Sequence, residues 1–260
     1  MSAMVKTQGL VLRVDPFSKT SHWVVWLTPD YGLVTTLAKG VQKPRSALLG
    51  QFDVFYTCEI IYHGRSAFSL AGLRECAPTA TRERFRSDWR AAGCASYLCD
   101  LVARTSLPGG EPSRIWALLT KALDCLQEQG ANALLPRWFE IKLLQAIGLA
   151  PQLRRCSGCK SQLDVTARGM RFSPARGGML CARCAERAGA RRFVIPPDVL
   201  AMMRAWQASE SPTIARRTSW SARQCASAER LLGEFLFYHL DTPGTARRLA
   251  TEILRPARCA

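Results

Sequence analysis

The sequence has little that could run a reaction. Among its 260 residues there are three histidines, His22, His63 and His239, each isolated in sequence. H-E-x-x-H and H-x-E are both missing, which removes the zinc hydrolase and deaminase signatures. No G-x-x-x-x-G-K-[ST] occurs; "GLRECAP" and "GEPSR" fall short of it, so ATP hydrolysis is not expected. No apolar run approaches the roughly 18–20 residues that span a bilayer. "MSAMVKTQGLVLRV" has no long apolar stretch before a small-residue cleavage site, so no secretory signal is expected and the chain is read as cytoplasmic. Internal repeats and low-complexity tails are absent. Acidic residues are scarce, 20 Asp+Glu against 36 Lys+Arg, for a formal net charge of +16.

That charge calls for a polyanion, usually nucleic acid. It is unevenly spread. Residues 151–192 hold ten basic and two acidic residues, half of the excess in 42 positions. The length suits two or three modest domains, and 48% hydrophobic residues is ordinary for a globular protein.

Residues 5–77 read as five strands: "QGLVLRV", "HWVVWLT", "LVTTLAKG", "FDVFYTCEIIYH" and "SAFSLAGLRE". "PDYG" and "HGRS" are turns between them. Five strands without an intervening helix suggest a small closed barrel, OB-type or SH3-like, because closure removes exposed edges. From Pro78 the spacing turns helical. In "TRERFRSDWRAAGCASYLCDLVART" the apolar positions are Phe85, Trp89, Leu98, Leu101 and Val102. "PSRIWALLTKALDCLQEQG" has one apolar face, with Ser113 expected to cap its start and Gly130 to end it. "LLPRWFEIKLLQAIG" is apolar nearly all round, so a buried helix ending near Gly148 is expected. "PPDVLAMMRAWQ", "AERLLGEFLFYHL" and "GTARRLATEIL" are three more.

The cysteines interrupt this helical part. Seven of the eleven, Cys58, Cys76, Cys94, Cys99, Cys125, Cys225 and Cys259, are scattered and read as small buried hydrophobes in a reducing compartment. The other four form Cys156-x2-Cys159 and Cys181-x2-Cys184, separated by 21 residues. A two-residue gap lets one tight turn present two sulfurs to one ion, and four soft ligands suit tetrahedral zinc. Four thiolates leave no position for a reacting water, so the zinc is expected to be structural, one per chain. A redox Cys-x-x-Cys opening a helix could fit one pair, not two. "RGMRFSP" and "GGML" read as two short strands within the insert. Arg154, Arg155, Lys160, Arg183 and Arg187 are expected to offset the charge of the thiolates. Arg191 and Arg192, just beyond, are candidates for phosphate contact, as is Arg13.

The loop "AKGVQKPRSALLG" carries Lys39, Lys43 and Arg45 between two strands, where basic groups suit a phosphate backbone. Phe17, Trp23, Trp26, Tyr31, Phe52, Phe55, Tyr56 and Tyr62 could stack bases, but the alternation in "HWVVWL" and "FDVFY" does not say which parity faces inward.

The stretches "GLVLRVDPFSKTS", "LTPDYGLVTTLAKGVQKPRS" and "FSPARGGMLCARC", with the cysteine module and the order of parts, resemble the RecO family of bacterial recombination and repair mediators. One position departs: Lys19 in "PFSKTS", where members often carry an acid. Members without the cysteines also exist, which favours a structural metal. The resemblance implies an α+β multidomain chain: an OB-fold barrel over 1–79, a helical domain in two parts over 80–150 and 193–260, and a four-cysteine zinc module over 151–192 between them. It implies no enzyme, but a protein that binds single- and double-stranded DNA, anneals complementary strands and helps load RecA on DNA coated by single-strand-binding protein. RecR and the acidic, apolar-ended tail of the single-strand-binding protein are the implied partners. Membrane and small-molecule substrate are not expected; association with the nucleoid during repair is. Arg114, Lys121, Arg137 and Lys142 are candidate rim groups for a tail groove. The rivals are a zinc enzyme with other ligands and a zinc-containing, sequence-specific nucleic-acid-binding regulator.

Overall fold

The computed structural model describes residues 4–64, 71–106, 111–164, 168–189, 192–241 and 244–254. The "HGRS" turn, the first half of "SAFSLAGLRE", Arg191 and Cys259 lie wholly or partly outside them. The chain divides into two units, Met1–Gly130 and Ala131–Ala260. Residues 80–150 therefore contribute helices to both.

In the first unit, period-2 alternation builds five strands: β1 (Met4–Pro16), β2 (His22–Thr28), β3 (Gly32–Ala38), β4 (Thr57–His63) and β5 (Ala71–Ala80). β1 is long enough for two partners. Met4–Leu10 pairs with β4 and Leu10–Pro16 with β2, across an irregularity between Val11 and Arg13 that bends the strand. β2 pairs with β3, and β4 with β5. Two parallel pairs, Thr36–Ala71 and Leu37–Gly72, complete the circuit, giving a closed barrel in the order β1-β2-β3-β5-β4. Inside, Trp26 is fully buried and its indole nitrogen donates to the Thr36 hydroxyl at 2.8 Å. Gly9 is glycine for lack of room. A β-carbon there would sit 2.8 Å from the Trp26 ring and 2.9 Å from Ile60.

The run "FDVFYTCEIIYH" is a strand only from Thr57. Phe55 adopts a left-handed conformation, φ 71°, donating to the Val11 carbonyl at 3.0 Å. Its own carbonyl accepts from the buried Arg82 guanidinium at 2.7 Å. Arg82 also reaches the Thr57 hydroxyl (2.9 Å) and Asp124 (2.8 Å). The helices differ from expectation in three places. Asp88 splits the first stretch into α1 (Arg84–Ser87) and α2 (Trp89–Thr105), capping α2 with bonds from the Arg90 and Ala91 amides. Trp89, at the first position of α2, is exposed. α3 (Pro112–Gln129) starts at Pro112, with Glu111 rather than Ser113 at the cap position but making no side-chain cap, because proline's fixed φ and missing N–H favour the first helical position. Gly130 ends it as expected.

The second unit holds α4 (Leu135–Ala146), β6 (Arg171–Ser173), β7 (Gly178–Leu180), α5 (Ala182–Arg187), α6 (Pro197–Ala208), α7 (Thr213–Arg217), α8 (Ala222–Leu240) and α9 (Gly244–Leu254). α4 is buried from Leu135 to Leu144, as its apolar surround predicts. α8 begins with a reciprocal cap between Ser221 and Gln224. α5 and α7, five or six residues each, carry too little periodicity to be read from sequence. Among the described residues no helix is long and apolar enough to cross a membrane.

Candidate metal centre and cationic loop

The two cysteine pairs converge. The segment before the first pair is stitched to the β6–β7 hairpin: Met179 donates to the Gln152 carbonyl and Ser157 to the Met179 carbonyl, each at 2.8 Å. Cys156 and Cys159 sit in a tight knuckle closed by the Lys160 amide on the Cys156 carbonyl (2.8 Å). Cys181 occupies the residue just before α5 and Cys184 lies in its first turn. The second pair thus does open a helix after a strand, but its thiols face the first pair rather than each other alone. All four Sγ atoms lie within 4.8 Å of one another, with Cys159 to Cys181 at 3.8 Å. Tetrahedral zinc with Zn–S near 2.3 Å sets sulfurs about 3.8 Å apart. All four cysteines are free thiols. The donor set fits a soft or borderline tetrahedral cation.

The thiols are unequal. The Ser161 hydroxyl, 3.1 Å away, leads the contacts that hold Cys159 down to about 6. Burial pushes Cys156 up, but the backbone amides of Cys159, Cys181 and Gly158 outweigh it and leave the thiol below its ordinary value. Cys184 goes the other way, pushed up to about 12 chiefly by its hydrogen bond with Cys181. Clustered thiols cannot all ionise together, and a divalent cation is what removes that conflict.

Among the described residues, backbone amides and the Ser161 hydroxyl donate to these sulfurs. Arg183 and Arg187, two of the cations expected to offset the thiolates, line a hollow of about 250 Å³ beside Cys159 and Cys184. Arg176 joins them from a 3-10 turn, Pro174–Arg176. Sequence reasoning misses it because it is not adjacent to either pair.

Gly178 decides whether the pairs can meet. Its φ is 156°, and a β-carbon there would lie 2.3 Å from the Gln152 carbonyl oxygen and 2.8 Å from its nitrogen. Both are backbone atoms with little freedom to yield. Gly178→Ala is expected to destabilise the protein by on the order of 3 kcal/mol and to lower its bound metal after dialysis. Thermal melting and metal analysis of the variant check both.

The basic loop after β3 is anchored from beneath. Val41 and Leu48 are buried in the barrel core. Lys39, Lys43 and Arg45 point outward and are exposed, and none of their side chains is paired with another described residue. The other candidate cations fare differently. Arg13 is held by Asp15, Nε to Oδ2 at 2.6 Å. Arg192 donates to the Ala188 carbonyl. Arg191 lies outside the described residues. The tail-groove rim also needs correction. Arg137 and Lys142 are buried, held by Glu229 and Glu210 respectively, so they cannot form a surface rim. Arg114 remains exposed on α3, bonded to Glu111.

Comparison with known proteins bears on this geometry. The model described as "Recombination protein O N terminal" matches residues 1–82, and "Recombination protein O C terminal" matches residues 86–248. The chain belongs to the RecO family. A RecO protein of Moorella thermoacetica is 29% identical over 97% of this chain and 92% of its own length. One of Roseiflexus is 31% identical over 91% and 81%, and one of Rubrobacter xylanophilus 34% over 78% and 80%. Each is named DNA repair protein RecO. The two RecO models part next to Arg82, where β5 gives way to α1.

Proposed function

We propose that this chain is a non-enzymatic mediator of recombinational DNA repair. It binds single- and double-stranded DNA, anneals complementary strands and helps to load RecA on DNA coated with single-strand-binding protein, acting with RecR. The tail of the single-strand-binding protein is a partner, and the work is done in the cytoplasm at the nucleoid. The barrel is an OB-fold, a reading supported by its strand order. The four cysteines hold one structural zinc per chain, a reading supported by four sulfurs lying within 4.8 Å of one another.

The observation that carries the reading is the loop with Lys39, Lys43 and Arg45 exposed and unpaired among the described residues, on the barrel of a RecO-family chain. Annealing forms no covalent bond. Two phosphate backbones repel, and a cationic surface displaces their counterions and holds the strands together while bases test pairing.

The test is annealing of two complementary oligonucleotides coated with single-strand-binding protein. Changing Lys39, Lys43 and Arg45 together to alanine is expected to slow annealing about tenfold. With three phosphate contacts gone, the log–log salt slope for single-strand binding should flatten by about 2. Unchanged annealing and an unchanged slope would rule the loop out as the DNA-binding surface.

A further inference from the structure

Strand pairing settles which aromatic residues of β2 face outward. Val24 and Trp26 are buried in the barrel, so Trp23 points to the outer face, where it is half-buried. Phe17 stands beside it across the β1–β2 turn, 56% exposed, with ring centroids 5.0 Å apart and planes at 67°. The turn is tight: the Phe17 and Ser18 amides both donate to the Ser21 carbonyl, at 2.9 and 3.1 Å. It is also clasped to the basic loop. The Gln42 amide donates to the Thr20 carbonyl at 3.1 Å, and the Gly40 amide to the Ser21 hydroxyl at 3.0 Å. The Gln42 side chain meets the His22 ring at 3.0 Å.

These bonds bring two kinds of group to one corner of the barrel. The turn supplies the edge-to-face aromatic pair and the exposed Lys19; the loop supplies the exposed Lys39 and Lys43. Asp15 lies opposite Trp23 in the β1–β2 register, but Arg13 neutralises it at 2.6 Å. Phe17 is too exposed to serve the core.

We propose that Phe17 and Trp23 are a stacking platform for an unpaired base of single-stranded DNA, with Lys19, Lys39 and Lys43 holding the flanking phosphates. The proposal rests on the DNA-binding reading and deepens it. Cations alone attract single strands and duplexes alike. Aromatic side chains grip a base only where its face is free, which a stacked duplex denies them. The corner therefore supplies a preference for single strands that the basic loop by itself lacks.

The test measures binding of the full-length protein to a thymidine 15-mer, to a 15-mer of abasic residues carrying the same phosphates, and to a 15-base-pair duplex. The wild type is expected to hold the thymidine strand about tenfold more tightly than the abasic one. Phe17→Ala should erase that difference by weakening thymidine binding about tenfold, with abasic and duplex binding and the salt slope unchanged. Trp23→Phe should keep the preference and Trp23→Ala lose it. Phe17 is exposed, so its replacement should leave the melting temperature unmoved. The platform is overturned if Phe17→Ala weakens all three ligands equally or none, or if the wild type holds abasic and thymidine strands alike. A wild type that binds none of the three would instead overturn the DNA-binding reading beneath it.

Discussion

Stripping the protein with a strong zinc chelator, or replacing Cys181 with serine, is expected to lower the melting temperature of the second unit by about 12 °C. The metal is linked to folding because its site exists only when both cysteine pairs are brought together. A cation present at a thousandfold excess over its dissociation constant contributes about 4 kcal/mol. At roughly 3 °C per kcal/mol for a unit of this size, that gives the shift. The loss should be local before it is global. The amides of Cys156 and Lys160, bonded within the first knuckle, and of Ala185, bonded to the Cys181 carbonyl, should lose hydrogen-exchange protection. Phe172 should keep its protection. It exchanges both backbone bonds with Phe193, and its ring packs 5.9 Å from Phe235 on α8. The polar ties from α6 also hold the near end of the module, Arg204 to the Leu153 carbonyl at 2.9 Å and Gln207 to the Pro151 carbonyl at 2.9 Å. Calorimetry with and without chelator reads the shift. A Cys181→Ser protein that melts like the wild type would remove the cysteines as a metal site.

This site was legible because its chemistry is local: two Cys-x-x-Cys turns state their ligands within four residues each. The barrel was legible for a related reason, since alternation within a strand marks it as half-buried. Which half is buried is not local. Trp23 and Trp26 sit three apart in "HWVVWL", and only the closed barrel, in which Trp26 pairs with Val34 of β3 and its buried indole bonds the Thr36 hydroxyl, shows that one faces in and the other out. The early end of "FDVFY" departs from a strand for the same reason. Nothing nearby in sequence announces that Arg82, 27 residues on, will claim the Phe55 carbonyl.

The sharpest departure is in α4. Its apolar surround gives no sign of what becomes of its three charged residues, Arg137, Glu140 and Lys142, and two of them look like surface groups. All three are buried, each held by residues 65 to 114 positions away. Glu140 is the deepest, its side chain 2% exposed, bridged by Arg247 of α9 through Nε at 2.8 Å and a second guanidinium nitrogen at 3.0 Å. Gly233 of α8 leaves room for that guanidinium; a β-carbon there would lie 2.8 Å from it.

Two parallel hydrogen bonds of this kind satisfy both charges, so removing one partner strands the other in a medium that solvates it poorly. Arg247→Ala is therefore expected to destabilise the second unit by about 3–5 kcal/mol, a large share of the roughly 5–15 kcal/mol ordinary for a domain. Arg247→Lys should recover only part, because an ammonium cannot reproduce the planar fork. The pair itself is a different matter from its halves. Replacing both residues with apolar ones of similar size, Glu140→Leu with Arg247→Met, removes the desolvation cost along with the attraction. It is expected to fall within about 1 kcal/mol of the wild type. Urea denaturation of the two single variants and the double one measures the coupling directly. A double variant as unstable as Arg247→Ala alone would show that α9 is held by the shape of these side chains and not by their charge.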